Sequence, residues 1–387
     1  MASSELLPLV RSKIVLGEPL PWNVLDRQGS LLLCQGQVVD TERQLELLLE
    51  RGATVHADEA RAIARQVLVN TTKSPARSAP TSLFDLWNKL PLRLKEVWGT
   101  LPQSAMFIEE LEKLTEDLIG LAQREPDIGL YLIVRQEQSH LVEYGYNHSV
   151  HTALVCVLMA RRLEWTDAET KSLVKAALTM NMGIAELQGR MASQDFPVLN
   201  RQEAQLRRHP HEAAIALTAA GVTDEICLQA VRDHHEHVDG SGYPTGKSEV
   251  DQFATALRLA DVFTAKLTPR TIRQPLSPQE AERQMLSEGK ANAQVMGLVM
   301  AVIQEFGIYP PGDLVALKSG EIGVVVKRSA NAKAPIVAAI TDANGQPVTT
   351  TTRRDTADPV YAIVAAAVNK RLVARLPPER LFGYALV

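Results

Sequence analysis

The sequence predicts a mainly α-helical protein, in which an all-helical domain is flanked by a small mixed α/β unit and a small β-rich unit. Three observations carry this prediction. Helix-start signals recur between residues 84 and 308, short strand-like runs precede and follow that region, and a polar segment rich in Pro and Ser separates its beginning from the first unit. The length of 387 residues favours two or three domains over a single core.

Residues 1–59 indicate the small mixed unit. A Gly-Ser pair at 29–30 lies between two short apolar runs, which is typical of a hairpin. Residues 41–51 predict a short helix, because three leucines in this stretch share one face. The linker is assigned to residues 60–83, since residues 71–83 are polar and rich in Pro and Ser.

Residues 84–308 predict the helical domain. Ser104 can cap a helix whose apolar positions recur at helical spacing, and Pro126 interrupts that pattern. These apolar positions are Phe107, Leu111, Leu114, Leu118 and Leu121. Further helix starts are indicated where Ser, Thr or Asn is followed three residues later by Glu. They are Thr166 with Glu169, Asn200 with Glu203, and Ser277 with Glu280.

Residues 309–387 predict the β-rich unit with a closing helix. It opens with the sequence Tyr-Pro-Pro-Gly, after which three strand-like runs occur at residues 314–317, 322–326 and 336–340. Residues 318–321 and the Asn-Gly pair at 344–345 indicate hairpin turns between strands.

Composition limits the classes of function. The net charge of -4 argues against a general binder of nucleic acid or of anionic membranes. No apolar run reaches transmembrane length, and the first residues lack the apolar core of a signal peptide. Cys34, Cys156 and Cys227 lie in apolar runs without a CxxC pattern, as expected for buried free thiols. We therefore expect a cytoplasmic protein that binds neither nucleic acid nor membrane.

Histidines concentrate in one part of the chain. Of nine in total, eight lie between residues 140 and 237, namely His140, His148, His151, His209, His211, His234, His235 and His237. This concentration indicates a metal or phosphate site in the helical domain. Taken singly, His151 reads as a satisfied, partly buried histidine, and residues 239–244 as a simple turn. Asp261 lies in an apolar run and needs a partner, for which a metal is one candidate.

The segment at residues 234–244, His-His-Glu-His-Val-Asp-Gly-Ser-Gly-Tyr-Pro, resembles the signature of the HD-GYP domain family. Flanking segments occur in order, among them Asn147-His148-Ser149, His209-Pro210 and Ala260–Phe263. The resemblance covers roughly residues 140–310 and implies an HD-type helical fold. It also implies a metal-dependent phosphodiesterase that hydrolyses cyclic di-GMP. By position, the metal ligands that it implies are His148, His209, His234, His235 and Asp261.

The chain departs from this family at the centre of the implied site. Met180 and Asn181 stand where the family has its His-Asp pair, and Ile184 stands where it has a lysine. A thioether does not suit hard metals, and a neutral amide bridges two metals poorly. We therefore expect no catalytic residues and a partial metal site. That site holds either no metal or one divalent transition metal (Fe, Mn, Zn or Ni).

The leading hypothesis is a degenerate HD-GYP signalling protein that binds a partner, such as a GGDEF diguanylate cyclase, or cyclic di-GMP, or both. The expected ligand-binding residues are Gly242, Tyr243, Pro244, Arg270 and Arg273. The two arginines could grip a phosphate or merely form a solvated basic loop. An alternative hypothesis is an impaired cyclic di-GMP phosphodiesterase with a mononuclear site. A third treats the helical fold as a scaffold for the two flanking units.

Overall fold

The computed structural model describes residues 4–6, 19–20, 23–26, 31–34, 36–39, 44–45, 48, 53–56, 82–136, 138–290, 292–367 and 377–383. Within these ranges the side chains of residues 4–6, 31, 56, 138–140 and 349 are not described. The chain divides into two compact units, residues 1–79 and 80–387. Most of the expected linker at 60–83 lies outside the described residues. The helical region and the C-terminal sheet lie together in the second unit.

The first unit contains a four-stranded antiparallel sheet, ordered β1-β4-β2-β3. Its strands are Ser4–Leu6 (β1), Val24–Leu25 (β2), Leu31–Leu33 (β3) and Thr54–His56 (β4). The pairing of β2 with β3 confirms the expected hairpin, whose turn at 29–30 lies outside the described residues. Leu45 is helical and buried against the sheet, and the rest of the expected helix is described only at residues 44 and 48.

The second unit begins with eleven α-helices in the described residues. They are Leu83–Gly99 (α1), Ser104–Arg124 (α2), Pro126–Val134 (α3), Tyr144–Arg162 (α4), Asp167–Thr179 (α5), Ala185–Ser193 (α6), Asn200–Ala219 (α7), Glu225–Asp233 (α8), Gln252–Leu267 (α9), Pro278–Gly289 (α10) and Ala293–Phe306 (α11). A 3-10 helix at Gln138–Glu143 leads into α4. None of the helices in the described part of the chain is long and apolar enough to cross a membrane.

Local sequence explains most of the helix starts. The expected capping boxes at Thr166 and Ser277 are both present, and each exchanges hydrogen bonds with the Glu three residues on. The other two expected caps are wrong by one residue. Ser104 is the first residue of α2, and the N-cap Gln103 makes no side-chain bond. Asn200 likewise begins α7, where the amide of Gln202 accepts from the Leu199 backbone instead.

Helix α4 is the centre of the second unit. It is buried along most of its length, with Cys156 among its fully buried residues, and it packs against α1, α5, α6, α9 and α11. The apolar face expected for α2, from Phe107 to Leu121, is buried in the same core. Since α4 carries His148 and α9 carries Asp261, this packing brings two of the expected ligand residues together.

A five-stranded antiparallel sheet follows, ordered β8-β7-β6-β5-β9. Its strands are Leu314–Leu317 (β5), Ile322–Lys327 (β6), Ile336–Thr341 (β7), Pro347–Asp355 (β8) and Ile363–Ala366 (β9). The three expected strands and both hairpins are confirmed. The closing helix is Pro378–Phe382 (α12), whose Phe382 packs edge-on against Phe84 and Tyr131.

One buried carboxylate joins the helices to this sheet. Glu305, at the end of α11, is 2% exposed and binds Arg161 and Arg162 of α4. Arg328, which follows β6, also binds Glu305, at 3.0 Å, and Asp127 of α3, at 2.5 Å. A buried carboxylate with three guanidinium partners is well compensated, so this network fixes the sheet on the helical core.

Candidate metal centre

Three histidines meet where α7 lies beside α8. His209 is on α7, His234 caps the C-terminus of α8, and His235 follows it. One ligand nitrogen from each lies within 4.8 Å of the others. His209 and His234 are buried, and His235 is half-buried. Among the described residues this is the cluster whose geometry could hold a metal ion.

Backbone carbonyls fix the tautomers of two of these rings. Nδ1 of His209 lies 2.6 Å from the carbonyl oxygen of Leu206, and Nδ1 of His234 lies 2.7 Å from that of Val231. A carbonyl oxygen only accepts, so each Nδ1 carries the proton and each Nε2 keeps its lone pair. This is the arrangement that orients histidine ligands in metal sites.

The two free lone pairs face each other. Nε2 of His209 lies 3.1 Å from Nε2 of His234, although neither atom carries a proton in the neutral rings. Burial, and then the neighbouring His234, lower the pKa of His209 to about 3. Burial also lowers the pKa of His234, and that of His235 falls well below its ordinary value. The rings are therefore neutral at physiological pH, and a divalent transition metal such as Zn, Fe or Ni fits between them.

His148 and Asp261 lie beside this cluster but are bonded to each other. Nε2 of His148 is 2.6 Å from Oδ1 of Asp261. Burial raises the pKa of Asp261, but the hydrogen bond and charge of His148 and the nearby His235 more than offset this, so that the pKa is lowered. The structure thus divides the five expected ligands into three clustered histidines and one buried pair.

Tyr144 lies one turn before His148 on α4. Its ring stacks on that of His148, with centroids 5.4 Å apart and planes 20° apart. Arg270 donates to the Tyr144 hydroxyl at 3.0 Å and lies over the same ring. Tyr144 therefore connects His148 to Arg270.

The two expected phosphate-binding arginines differ in their surroundings. The Nε of Arg270 is buried and has no hydrogen-bond partner among the described residues. The guanidinium of Arg273 donates to the carbonyl oxygen of Ala265 at 2.5 Å. The geometry therefore leaves a donor for an anion on Arg270 and commits one donor of Arg273 to the backbone.

Met180, Asn181 and Ile184, which the resemblance aligns with the family's His, Asp and Lys, are all buried. Met180 is fully buried and belongs to the main hydrophobic core. Asn181 is 2% exposed, and its Nδ2 has no partner within the part of the chain that the structure describes. Ile184 precedes α6 and is also buried.

Glu236 organises the loop that follows the histidines. Its buried carboxylate accepts from the backbone and hydroxyl of Thr245, both at 2.7 Å, and from the backbone of Gly246 at 3.0 Å. Gly242 packs directly against the backbone of residues 235–236, since a Cβ there would lie 2.5 Å from the Glu236 Cα and 2.6 Å from the His235 oxygen. Only glycine fits this approach.

Tyr243 connects the loop to the histidine cluster. Its ring stacks on His235, with centroids 4.5 Å apart, and Arg207 of α7 lies over it at 5.4 Å. Pro244 follows a cis peptide bond and is exposed. Glu236 and Arg207 were not among the expected site residues. Glu236 could have been found from its place within His-His-Glu-His, whereas no local sequence pattern indicates Arg207.

Comparisons with known proteins agree with this architecture. An HD domain model matches residues 105–293. Cyclic di-GMP phosphodiesterase PA4108 of Pseudomonas aeruginosa is 30% identical over 225 residues, which cover 56% of this chain and 51% of that protein. A probable cyclic di-GMP phosphodiesterase of Vibrio cholerae is 27% identical, over 48% of this chain and 46% of that protein.

Two more distant similarities were found. A 3'3'-cGAMP-specific phosphodiesterase of Vibrio cholerae is 24% identical, over 42% of this chain and 39% of that protein. The solved structure of Bd1817, an HDG"Y"P protein from Bdellovibrio bacteriovorus, aligns with a TM-score of 0.47 and 14% identity, over 78% of this chain and 98% of that one. The chain spans about half the length, or less, of the curated relatives it matches. Residues 105–293 therefore match an HD domain, and the chain is similar over about half of its length to a cyclic di-GMP phosphodiesterase of Pseudomonas aeruginosa.

Proposed function

We propose that this protein is a degenerate member of the HD-GYP group, a signalling module that binds without hydrolysing. One observation carries the proposal. Where catalysis needs a histidine and a bridging carboxylate, Met180 is buried in the hydrophobic core and Asn181 supplies a neutral amide. Nearby, His148 and Asp261 bond each other at 2.6 Å. Among the described residues, the candidate ligand atoms therefore form one cluster of three histidine nitrogens, which suits one metal rather than two.

The residues that would hold a metal are His209, His234 and His235. A bound divalent metal would supply Lewis acidity for a phosphate oxygen or a water molecule. The protein's own part is to orient these imidazoles through Leu206 and Val231 and to bury them. Without a carboxylate at Asn181, a second metal has no bridge, and the negative charge that would hold two dications is missing.

The loop at residues 236–246 supports a binding role. It is anchored at Glu236 and stacked through Tyr243, while Ser241 and Pro244 remain exposed. A loop that is rigid at its base and exposed at its tip suits recognition of another protein. We propose that it docks a signalling partner, such as a GGDEF diguanylate cyclase.

Cyclic di-GMP is the second proposed ligand. The buried Nε of Arg270 and the Nδ2 of Asn181 lack partners among the described residues, and both are donors that a phosphate could satisfy. Retention of the dinucleotide without its cleavage would make the domain a receptor. The names of the homologous enzymes support this choice of ligand.

The decisive experiment combines metal analysis with turnover. The purified chain is loaded separately with Fe, Mn, Zn and Ni, and then incubated with cyclic di-GMP and analysed by chromatography. We expect about one metal per chain, loss of it in His235→Ala, and no linear dinucleotide. His211→Ala, which removes an exposed histidine of α7 that is not part of the cluster, is the matched control and should keep its metal.

The alternative is an impaired phosphodiesterase with a mononuclear site. The preset tautomers of His209 and His234 favour it, because a preorganised metal is what such a reaction requires. Linear dinucleotide produced by the wild type and abolished by His235→Ala would establish this alternative and overturn the non-catalytic proposal.

Partner binding is tested by titration against a GGDEF domain and against cyclic di-GMP. We expect Pro244→Ala and Ser241→Ala to weaken binding of the GGDEF domain, because both residues are exposed at the tip of the loop. Arg270→Ala should weaken binding of the dinucleotide instead. Absence of measurable affinity for both would contradict the proposal.

A further inference from the structure

The two edges of the C-terminal sheet differ in their protection. At one edge, α12 lies against strand β8. Thr351 of β8 donates to the carbonyl oxygen of Arg380 in α12. Arg353 of β8 donates to that of Leu381, and Arg354 follows it in the strand. Charged side chains and a neighbouring helix are means by which proteins keep an edge strand from pairing with another chain. The β8 edge therefore carries features that oppose such pairing.

Strand β9, at the opposite edge, lacks these features. It is the last strand of the sheet, and its outer side pairs with no other strand in the part of the chain that the structure describes. Two further backbone hydrogen bonds with β5, one accepted by Ala362 and one donated by Ala367, extend its pairing by one residue at each end. Residues 362–367 therefore present an open edge of extended backbone.

This open edge is apolar. Residues 359–367 read Pro-Val-Tyr-Ala-Ile-Val-Ala-Ala-Ala and include no charged side chain. Val360 is 57% exposed and Val364 is 61% exposed, and the two alanines after Val364 are exposed as well. The register with β5 shifts by one residue here, so that Val364 has no partner on β5. An exposed, uncharged edge of this kind is a site at which a further strand can add to a sheet.

We propose that the β9 edge pairs with the same edge of a second copy of this chain, antiparallel and about a two-fold axis near Val364. Charge favours this partner. An edge without charge attracts no charged strand, and β9 is itself an uncharged, apolar strand. Antiparallel pairing about a two-fold axis sets residues 359–367 opposite their own copies, so no like charges meet. Self-pairing of β8 would instead bring its arginines together.

The assembly would join two five-stranded sheets into one continuous sheet. Each copy contributes a short strand, so the interface is small and the association should be weak, with a dissociation constant of about 1 μM to 1 mM. This proposal goes beyond the function proposed above. It requires neither a metal nor cyclic di-GMP, and it involves none of the residues of the candidate metal centre.

Sedimentation equilibrium of the whole chain tests the association, at concentrations from about 10 μM to about 1 mM. We expect the apparent mass to rise towards that of two chains. Val364→Lys sets like charges opposite each other near the axis and should raise the dissociation constant by about tenfold or more. Thr350→Lys changes an exposed residue of β8, is the matched control, and should associate as the wild type does.

A mixing experiment tests the two-fold axis itself. Val364→Glu alone should also weaken association, because carboxylates then meet. An equimolar mixture of Val364→Lys and Val364→Glu should associate again, because unlike charges then meet across the axis. Thermal melting checks that each variant is folded. Ala366→Lys, at another exposed position of the same strand, serves if Val364→Lys melts early.

Three results would overturn the proposal. A wild type that stays monomeric to about 1 mM would do so, and this is the result expected if the edge receives a strand of another protein instead. Dimers that persist in Val364→Lys would show that a different surface associates. A mixture of the two charged variants that remains monomeric would exclude antiparallel pairing near Val364.

Discussion

Nε2 of His148 lies 2.6 Å from Oδ1 of Asp261, and this contact joins α4 to α9 across 113 positions of the chain. Thr264 lies against the pair, with its hydroxyl 3.4 Å from Nδ1 of His148. Both members are buried, so the carboxylate has its negative charge compensated by protein rather than by water. Two residues expected to hold metal therefore also stabilise the fold.

This pair predicts strong energetic coupling. His148→Ala should destabilise the protein by about 3 kcal/mol or more, because it leaves a buried carboxylate unpaired. Asp261→Ala should do likewise, and the double variant should cost less than the sum by about 1–3 kcal/mol. Urea unfolding of the four proteins measures this. Strict additivity would show that the two side chains do not depend on each other.

The burial of Met180 predicts that introducing the family's His-Asp pair destabilises the protein. Met180→His places an imidazole in an apolar core and should destabilise the protein by about 2 kcal/mol or more. Met180→Leu, which keeps an apolar side chain of similar size, should cost less than about 1.5 kcal/mol. Thermal melting with and without Mn separates the cases. A Met180→His, Asn181→Asp protein that is as stable as wild type without metal would contradict this interpretation.

The close packing of Gly242 predicts that the loop does not accommodate a larger residue at this position. Gly242→Ala brings a Cβ to 2.5 Å from the Glu236 Cα, so the loop must shift and Tyr243 should leave His235. We expect a loss of about 1–3 kcal/mol together with weaker metal binding. Gly297→Ala is the control. That helical glycine has open space around it and should gain about 0.5–1 kcal/mol.

Glu282 predicts a pH dependence of stability. Burial, and then Asp313, raise the pKa of Glu282 from 4.5 to about 8 in the folded protein. The folded state then holds this proton more tightly than the unfolded state, so stability falls as pH rises from about 4.5 to about 8. Glu282→Gln removes that fall and should stabilise the protein at pH 8 by about 1 kcal/mol or more.

The control for this prediction is Glu280→Gln. Hydrogen bonds from Ser277 lower the pKa of Glu280, so its contribution has the opposite sign. The stabilisation by ionised Glu280 is present above the ordinary carboxyl pKa and is lost in acid. Chemical unfolding between pH 5 and pH 8 compares the two variants. A Glu282→Gln protein whose stability follows that of wild type at every pH would refute the assigned cause.

The sequence predicted those features that depend on neighbouring residues. The capping boxes of Thr166 and Ser277 and the strand at residues 336–340 are local patterns, and each was correct. The caps at Ser104 and Asn200 were each wrong by one residue, since the helices begin at these side chains. Strand β9 was not predicted, because its pairing with β5 depends on the assembled sheet.

The site required information from distant residues. The resemblance pointed to the clustered histidines, but it did not reveal that Asp261 bonds His148 or that Arg270 binds Tyr144. These contacts join residues more than a hundred positions apart, and no local periodicity reports them. The burial of Met180 was easier to predict, because Leu173, Ala177 and Met180 recur at helical spacing.

The ion-pair network of Glu305 affects how the second unit unfolds. Its partners lie on α4 and in the segment after β6, and Arg328 extends the network to α3. Loosening the sheet would therefore take Arg328 away from two carboxylates of the helical core, Glu305 and Asp127. The helices and the C-terminal sheet should consequently exchange their amide hydrogens in a single cooperative unfolding step, as one foldon rather than as two.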